Sequence, residues 1–136
     1  SCKKFKLMSS YLCIDPGLSH TGFAVSGSTH LVETLTTIHT KDKDRLLAQI
    51  LSIIREQKPD ELVIGQPSFG PIHTLAKDLL NILKTHFQGP IHLFSEDLSS
   101  KIAEKKMLQS GGSKHRRRDK KHSTAAAIIL QDFLSS

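Results

Sequence analysis

Residues 11–26 read YLCIDPGLSHTGFAVS. A short apolar run, Tyr11-Leu12-Cys13-Ile14, ends on an acid, Asp15, and is stopped by Pro16-Gly17. Such a run bounded by turn residues predicts a buried strand over 11–15. Pro16 fixes one backbone dihedral, and Gly17 tolerates conformations that other residues resist. The carboxylate is therefore expected at a strand end, held on a tight turn and well placed for a metal ion. Taken alone, Asp-Pro-Gly is also ordinary turn chemistry.

Working outward, GFAVS (22–26) and HLVETLTTI (30–38) predict two further strands, with Gly27-Ser28 as a hairpin turn. Residues 42–57, DKDRLLAQILSIIREQ, place Leu46, Leu47, Ile50, Ile53 and Ile54 at helical spacing, with Asp42 and Asp44 near the positive helix end. Lys58-Pro59-Asp60 ends that helix. ELVIG (61–65) is an apolar run suited to a parallel strand covered on both faces. Pro71 can open a helix over 71–86, with Leu75, Leu79, Leu80 and Leu83 inward. IHLF (91–94) predicts a fifth strand, and 99–109 a helix stopped by Gly111-Gly112. STAAAIILQDFL (123–134) predicts the last helix, with Ser123 or Thr124 as its N-cap. The order βββαβαβαα defines a mixed α/β sheet, antiparallel over its first three strands and continued by parallel crossovers.

The 136 residues suffice for one domain, 1–136. With 38% apolar and 24% charged residues, a mainly disordered chain is excluded. No apolar run is long enough to span a bilayer, so no membrane association is expected. No apolar stretch follows the basic start to make a signal peptide. Cys2 and Cys13 form neither a CxxC nor a disulfide framework. Cys13 reads as a small core residue, and a reducing cytoplasm fits.

The formal charge of +6 is concentrated. Segment 111–121, GGSKHRRRDKK, holds six cations (Lys114, Arg116, Arg117, Arg118, Lys120 and Lys121) and one acid, Asp119, a net +5. It reads as a glycine-led basic loop. Clustered charge of this kind binds polyphosphate by counterion release without reading sequence, although solvated basic loops are also common. Glu96 follows the strand 91–94. If that strand runs parallel to 11–15, both carboxylates fall at one sheet edge, where open α/β sheets bind ligands. Glu96 or Asp97 could equally serve the positive end of the following helix. Asp119 and His122, spaced i, i+3, would share a helical face. Separated acids beside a basic segment suggest metal-assisted phosphodiester chemistry with Mg²⁺ or Mn²⁺. No HExxH, P-loop, GxSxG or zinc-type Cys/His spacing is present.

YLCIDPGLSHTGFAVS resembles the first strand and hairpin of the ribonuclease H-like resolvases, RuvC and the YqgF (RuvX) group. TIHTKDKDRLLAQILSIIREQKPDELVIGQP is similar to the YqgF pattern of a TI-plus-charged stretch, a helix and a strand ending V-V-G-x-P. Residues 91–134 are similar to its C-terminal half, a D-E-R-L-T-T motif, a helix, a basic loop and a D-x-x-A-A-x-x-x-L-Q helix. The likeness covers about residues 11–134. It implies a ribonuclease H-like fold and a metal-dependent endonuclease acting on rRNA precursor, at the 5′ end of 16S rRNA. Alternatively it implies a Holliday junction resolvase acting on branched DNA, usually as a two-fold homodimer rather than a monomer. Asp15 matches the first family acid and Glu96 the glutamate of D-E-R. The third acid position falls on His122, with Asp119 three residues earlier, so Asp15, Glu96 and Asp119 or His122 are the implied metal ligands. SEDLSS replaces D-E-R-L-T-T, and SFGPIHT lacks the usual N-M-D-G-x. A degenerate relative that binds nucleic acid without cutting it, and an α/β domain docking an acidic protein, are the readings from other classes.

Overall fold

β1 (Tyr11–Asp15) lies at the centre of a five-stranded sheet of order β3-β2-β1-β4-β5. The computed structural model describes residues 9–27, 31–95 and 114–135, the last segment with its side chains from 124 onward. β2 (His20–Ser26) runs antiparallel to β1, with Asp15 opposite Gly22. β3 (Val32–His39) runs antiparallel to β2. β4 (Glu61–Gln66) pairs parallel with β1, and β5 (Ile91–Ser95) parallel with β4. The predicted strands all form, to within one or two residues at their ends. In β3, Leu35 is the extra residue of a bulge between the pairs Phe23–Thr36 and Ala24–Thr34.

Alternation along β1 divides the core in two. Leu12 and Ile14 face α1 (Lys43–Gln57) and α2 (Pro71–Leu83), packing with Phe23, Ile50, Leu62, Ile64 and Leu79. Cys13 faces the other way, against Ala24, Val63, Ala126, Ile129 and Leu130. These last three belong to α3 (Lys114–Ser135). Asp15 shares the parity of Cys13 and so belongs to the α3 face. Complete burial of a Leu or Ile side chain contributes about 1.5–3 kcal/mol, and the sheet is covered on both faces by such residues.

Local chemistry sets the helix ends. Asp42 accepts from the backbone N–H groups of Asp44 (3.0 Å) and Arg45 (3.4 Å), capping α1. Lys58 ends it with a left-handed φ of 48° and donates to the Ile54 carbonyl at 2.8 Å. Pro71 stands at the first position of α2. That helix stops at Leu83, short of the expected 86, because Lys84 to Thr85 tighten into a turn in which Thr85 bonds back to Ile82.

The last helix corrects the sequence reading more substantially. It begins at Lys114, nine residues before the expected start at 123. Backbone 114–121 is helical rather than looped, and Ser123 and Thr124 are interior positions, not caps. Lys and Arg are good helix formers, and no Gly or Pro follows Gly112. The expected helix over 99–109 and the turn beyond Gly27 lie outside the described residues.

Candidate active site at the carboxyl edge

β1, β3, β4 and β5 point the same way, so their carboxyl ends share one edge with the start of β2. Asp15 ends β1 there and is 7% exposed. The turn beyond it is tightly built, the Gly17 amide donating to Thr21 Oγ1 at 3.4 Å. A Cβ on Gly17 would collide with the His20 carbonyl oxygen, so glycine is required by close approach.

One strand separates β1 from β5. Asp15 lies level with Gly65 by continuation of the β1–β4 register, and Gly65 pairs with Phe94. Two strand spacings, about 9.5 Å, therefore separate the two strand ends. Glu96 is the residue after the end of β5 and lies outside the described residues. Asp119 and His122 occupy backbone positions on α3, their side chains outside the description, as are those of Lys114, Arg116, Arg117, Arg118, Lys120 and Lys121. Among the described residues, no group of three or more His, Cys, Asp or Glu could hold a metal ion.

The direction of α3 is fixed by its C-terminal half. The Phe133 ring meets Tyr11 at 5.8 Å, His92 at 4.7 Å and Phe94 at 6.0 Å between centroids. Tyr11 begins β1, so the end of α3 lies at the amino edge and the helix runs antiparallel to β1. β1 spans about 13 Å from Tyr11 to Asp15, which a helix covers in roughly nine residues.

Two exposed apolar side chains border this edge. Phe69, in the loop after β4, is 84% exposed, and Leu18, after β1, is 54% exposed. The Phe69 loop is braced: Gln66 Nε2 donates to the His73 carbonyl at 3.3 Å, and His73 Nδ1 donates to the Pro67 carbonyl at 2.9 Å. Gly70 turns with a φ of 97° before Pro71. The sequence reading passed over Phe69. Its Gly70-Pro71 neighbours marked a turn but not the outward direction of the ring.

The opposite edge is a polar clasp. Ser10 and Asp60 exchange hydrogen bonds, the Ser10 amide reaching Asp60 Oδ2 at 2.9 Å and the Asp60 amide reaching Ser10 Oγ at 3.1 Å. His92 Nε2 donates to Glu61 Oε1 at 2.8 Å. Burial, then the hydrogen bond to Glu61 and the charges of Glu61 and Asp60, push the Tyr11 phenol above its ordinary value.

Strand order, helices on both faces and a buried acid ending the central strand define a ribonuclease H-like protein with a RuvC-type fold. RuvC of T. thermophilus in complex with a Holliday junction substrate superposes with a TM-score of 0.62 at 15% identity, covering 93% of this chain and 94% of that one. The family model described as RuvX, Holliday junction resolvase, matches residues 9–136, and the chain belongs to that family. A relative from Roseiflexus sp. (strain RS-1), named "Putative pre-16S rRNA nuclease", is 33% identical over 131 residues, spanning 92% of this chain and 93% of its own. One from Geobacillus kaustophilus (strain HTA426) with the same name is 32% identical over 134 residues, spanning 92% and 96%. No described helix is long and apolar enough to cross a membrane.

Proposed function

We propose that this chain is a metal-dependent endonuclease that cuts phosphodiester bonds in structured RNA, processing the 5′ end of pre-16S rRNA during ribosome biogenesis in the cytoplasm. The observation that carries it is the buried Asp15 at the end of β1, on the face that α3 covers and at the edge toward which β5 also runs. The direction of α3 supports the rest. Counting back roughly nine residues from Phe133 reaches about 124, which supports a place for the turn holding position 122 near the level of Asp15. Positions 126, 129 and 133 lie on the stripe that packs the sheet, and 122 continues the same helical spacing.

Mg²⁺ or Mn²⁺ fits a donor set of Asp15, Glu96 and Asp119 or His122, because hard carboxylate oxygens suit these ions and a neutral imidazole can complete the set. When bound, the ion would supply Lewis acidity and a water of lowered pKa. The chain's own part is to hold the Asp15 oxygens rigidly and keep bulk water from one side of them. Lys114, Arg116, Arg117, Arg118, Lys120 and Lys121 provide counter-charge to the phosphates on the helical approach to the site. Phe69 offers an exposed ring on which an unpaired base can stack.

Cleavage of a pre-16S rRNA precursor in Mn²⁺ tests this reading. Asp15→Asn is expected to lower the rate by roughly 10²-fold or more while leaving the far-ultraviolet circular dichroism unchanged. Undiminished cleavage by that variant sinks the assignment. The RuvX description favours a second reading, resolution of branched DNA. A four-way junction assayed beside the precursor, with sedimentation to detect a dimer, separates the two.

A further inference from the structure

Beyond the end of β1, the strands β2 and β3 carry the sheet past Asp15. Asp15 stands opposite Gly22, and His20 lies two residues further out on β2. Residues two apart in a strand share a face, so His20 belongs to the face of Asp15. His39 pairs with His20 in the β2–β3 register and meets its ring edge to face at 4.7 Å. One strand spacing across and two residues along put the His20 Cα about 8 Å from that of Asp15, and the His39 Cα, a strand further, about 12 Å. His39 is exposed and His20 half-buried.

Backbone contacts hold this corner. The Thr40 amide donates to the Ser19 carbonyl at 3.0 Å, extending the ladder one step beyond the two rings. The turn after Asp15 folds back so that Gly17 lies against the His20 carbonyl. The Asp42 amide donates to Thr40 Oγ1 at 3.1 Å, fixing the bend that carries Lys41. Lys41 is exposed and, among the described residues, in no ion pair, whereas Lys43 is matched by Asp78 at 2.9 Å. Asp42 is engaged in capping α1. Two imidazoles and one ammonium thus stand on the β3 side of the acid, and Phe69 on the β4 side.

We propose that His20, His39 and Lys41 form a phosphate contact for the strand being cut, which crosses the sheet edge from the end of β3 toward the end of β4. This rests on the nuclease reading and gives it a local anchor apart from the basic run at 114–121. An imidazole N–H donates to a phosphate oxygen whether the ring is neutral or charged, and the ammonium adds counter-charge. Phosphates of one duplex strand rise about 3.4 Å apart, so a reach of about 8–12 Å places the contacted linkages roughly two to four from the cut.

The test is cleavage, in Mn²⁺, of pre-16S rRNA precursors that carry one neutral methylphosphonate linkage at each position around the cut in turn. Each such linkage follows a 2′-O-methyl sugar for chemical stability, and the matching 2′-O-methyl phosphodiester is its reference. In the wild type, neutralising a linkage roughly two to four from the cut, on one side only, is expected to lower kcat/KM about threefold to tenfold. Lys41→Gln should lose a similar factor on the normal precursor, chiefly through KM, and lose nothing further at that linkage. His39→Phe keeps the ring against His20 but removes its N–H, and should also lose about threefold to tenfold. His39→Gln, with a donor but no ring, should recover most of that loss, whereas a packing role predicts the reverse order. Arg55→Gln removes an exposed cation from the last turn of α1, at the amino edge, and should keep the wild-type pattern. Thermal melts of each variant report folding.

Full additivity of Lys41→Gln with every neutral linkage, or wild-type cleavage by His39→Phe, overturns the contact. If that happens while Asp15→Asn still suppresses cleavage, the phosphate contact falls alone. A wild type that leaves the precursor uncut overturns the nuclease reading and the contact with it.

Discussion

Gly17 shows how closely one residue can bind fold to site. It turns the chain directly after Asp15, and the His20 carbonyl occupies the place a Cβ would need. Gly17→Ala should cost about 1–3 kcal/mol in urea unfolding. Cleavage should fall further than stability alone explains, because the turn that aims Asp15 must shift. Tyr11 gives a second check of a single residue. It is the only tyrosine, and there is no tryptophan, so its phenolate absorbance can be followed without interference. Its native ionisation is raised by burial, then by the hydrogen bond to Glu61 and the charges of Glu61 and Asp60. The protonated form is therefore favoured by folding. Its contribution to stability is complete below the unfolded value of 10.0 and is lost as pH climbs through the higher native value. The native titration midpoint should lie above that of the urea-unfolded chain, and Tyr11→Phe should flatten the alkaline fall in stability. Coincident midpoints in the two states contradict the burial of the phenol and its contact with Glu61 together.

At the scale of elements, α3 packs the sheet on the face that Asp15 shares. Ala126 is fully buried between the helix and the Cys13–Ala24–Val63 surface. Ala126→Leu forces the helix outward and should destabilise the fold by about 1–3 kcal/mol, measured by urea unfolding. The strands were legible in the sequence because apolar runs with Pro and Gly stops carry that information locally. Asp15 was legible for the same reason, since Asp-Pro-Gly marks its strand end. The start of α3 was not. Glycines pointed to a break at 111–112 and the charge run read as loop, whereas Lys and Arg propensity carries the helix back to Lys114. Glu96 and the side chains of Asp119 and His122 lie outside the described residues, so this part of the site rests on spacing and resemblance.

Across the whole molecule the charge is polarised, with a net +5 of the total +6 inside residues 114–121. Electrostatic affinity for nucleic acid should therefore reside chiefly there. Replacing Arg116, Arg117 and Arg118 together by Ala should shallow the log–log salt dependence of RNA binding by about 0.7 for each arginine that contacts phosphate. An unchanged slope would assign the affinity to another surface. The proposed site and the fastening contacts also occupy opposite poles. The carboxyl edge carries Asp15 and Phe69, while the amino edge carries the Ser10–Asp60 clasp and the Tyr11–Phe133 contact.

That polarity has a practical corollary at Gly27. It follows β2 at the fastening pole, roughly 13 Å or more from Asp15 along the strands, and among the described residues nothing beyond its chain neighbours lies within 4 Å of where its Cβ would stand. A dye or affinity handle attached there would ride on the molecule's quiet end, free to signal a strand arriving at the other without touching it.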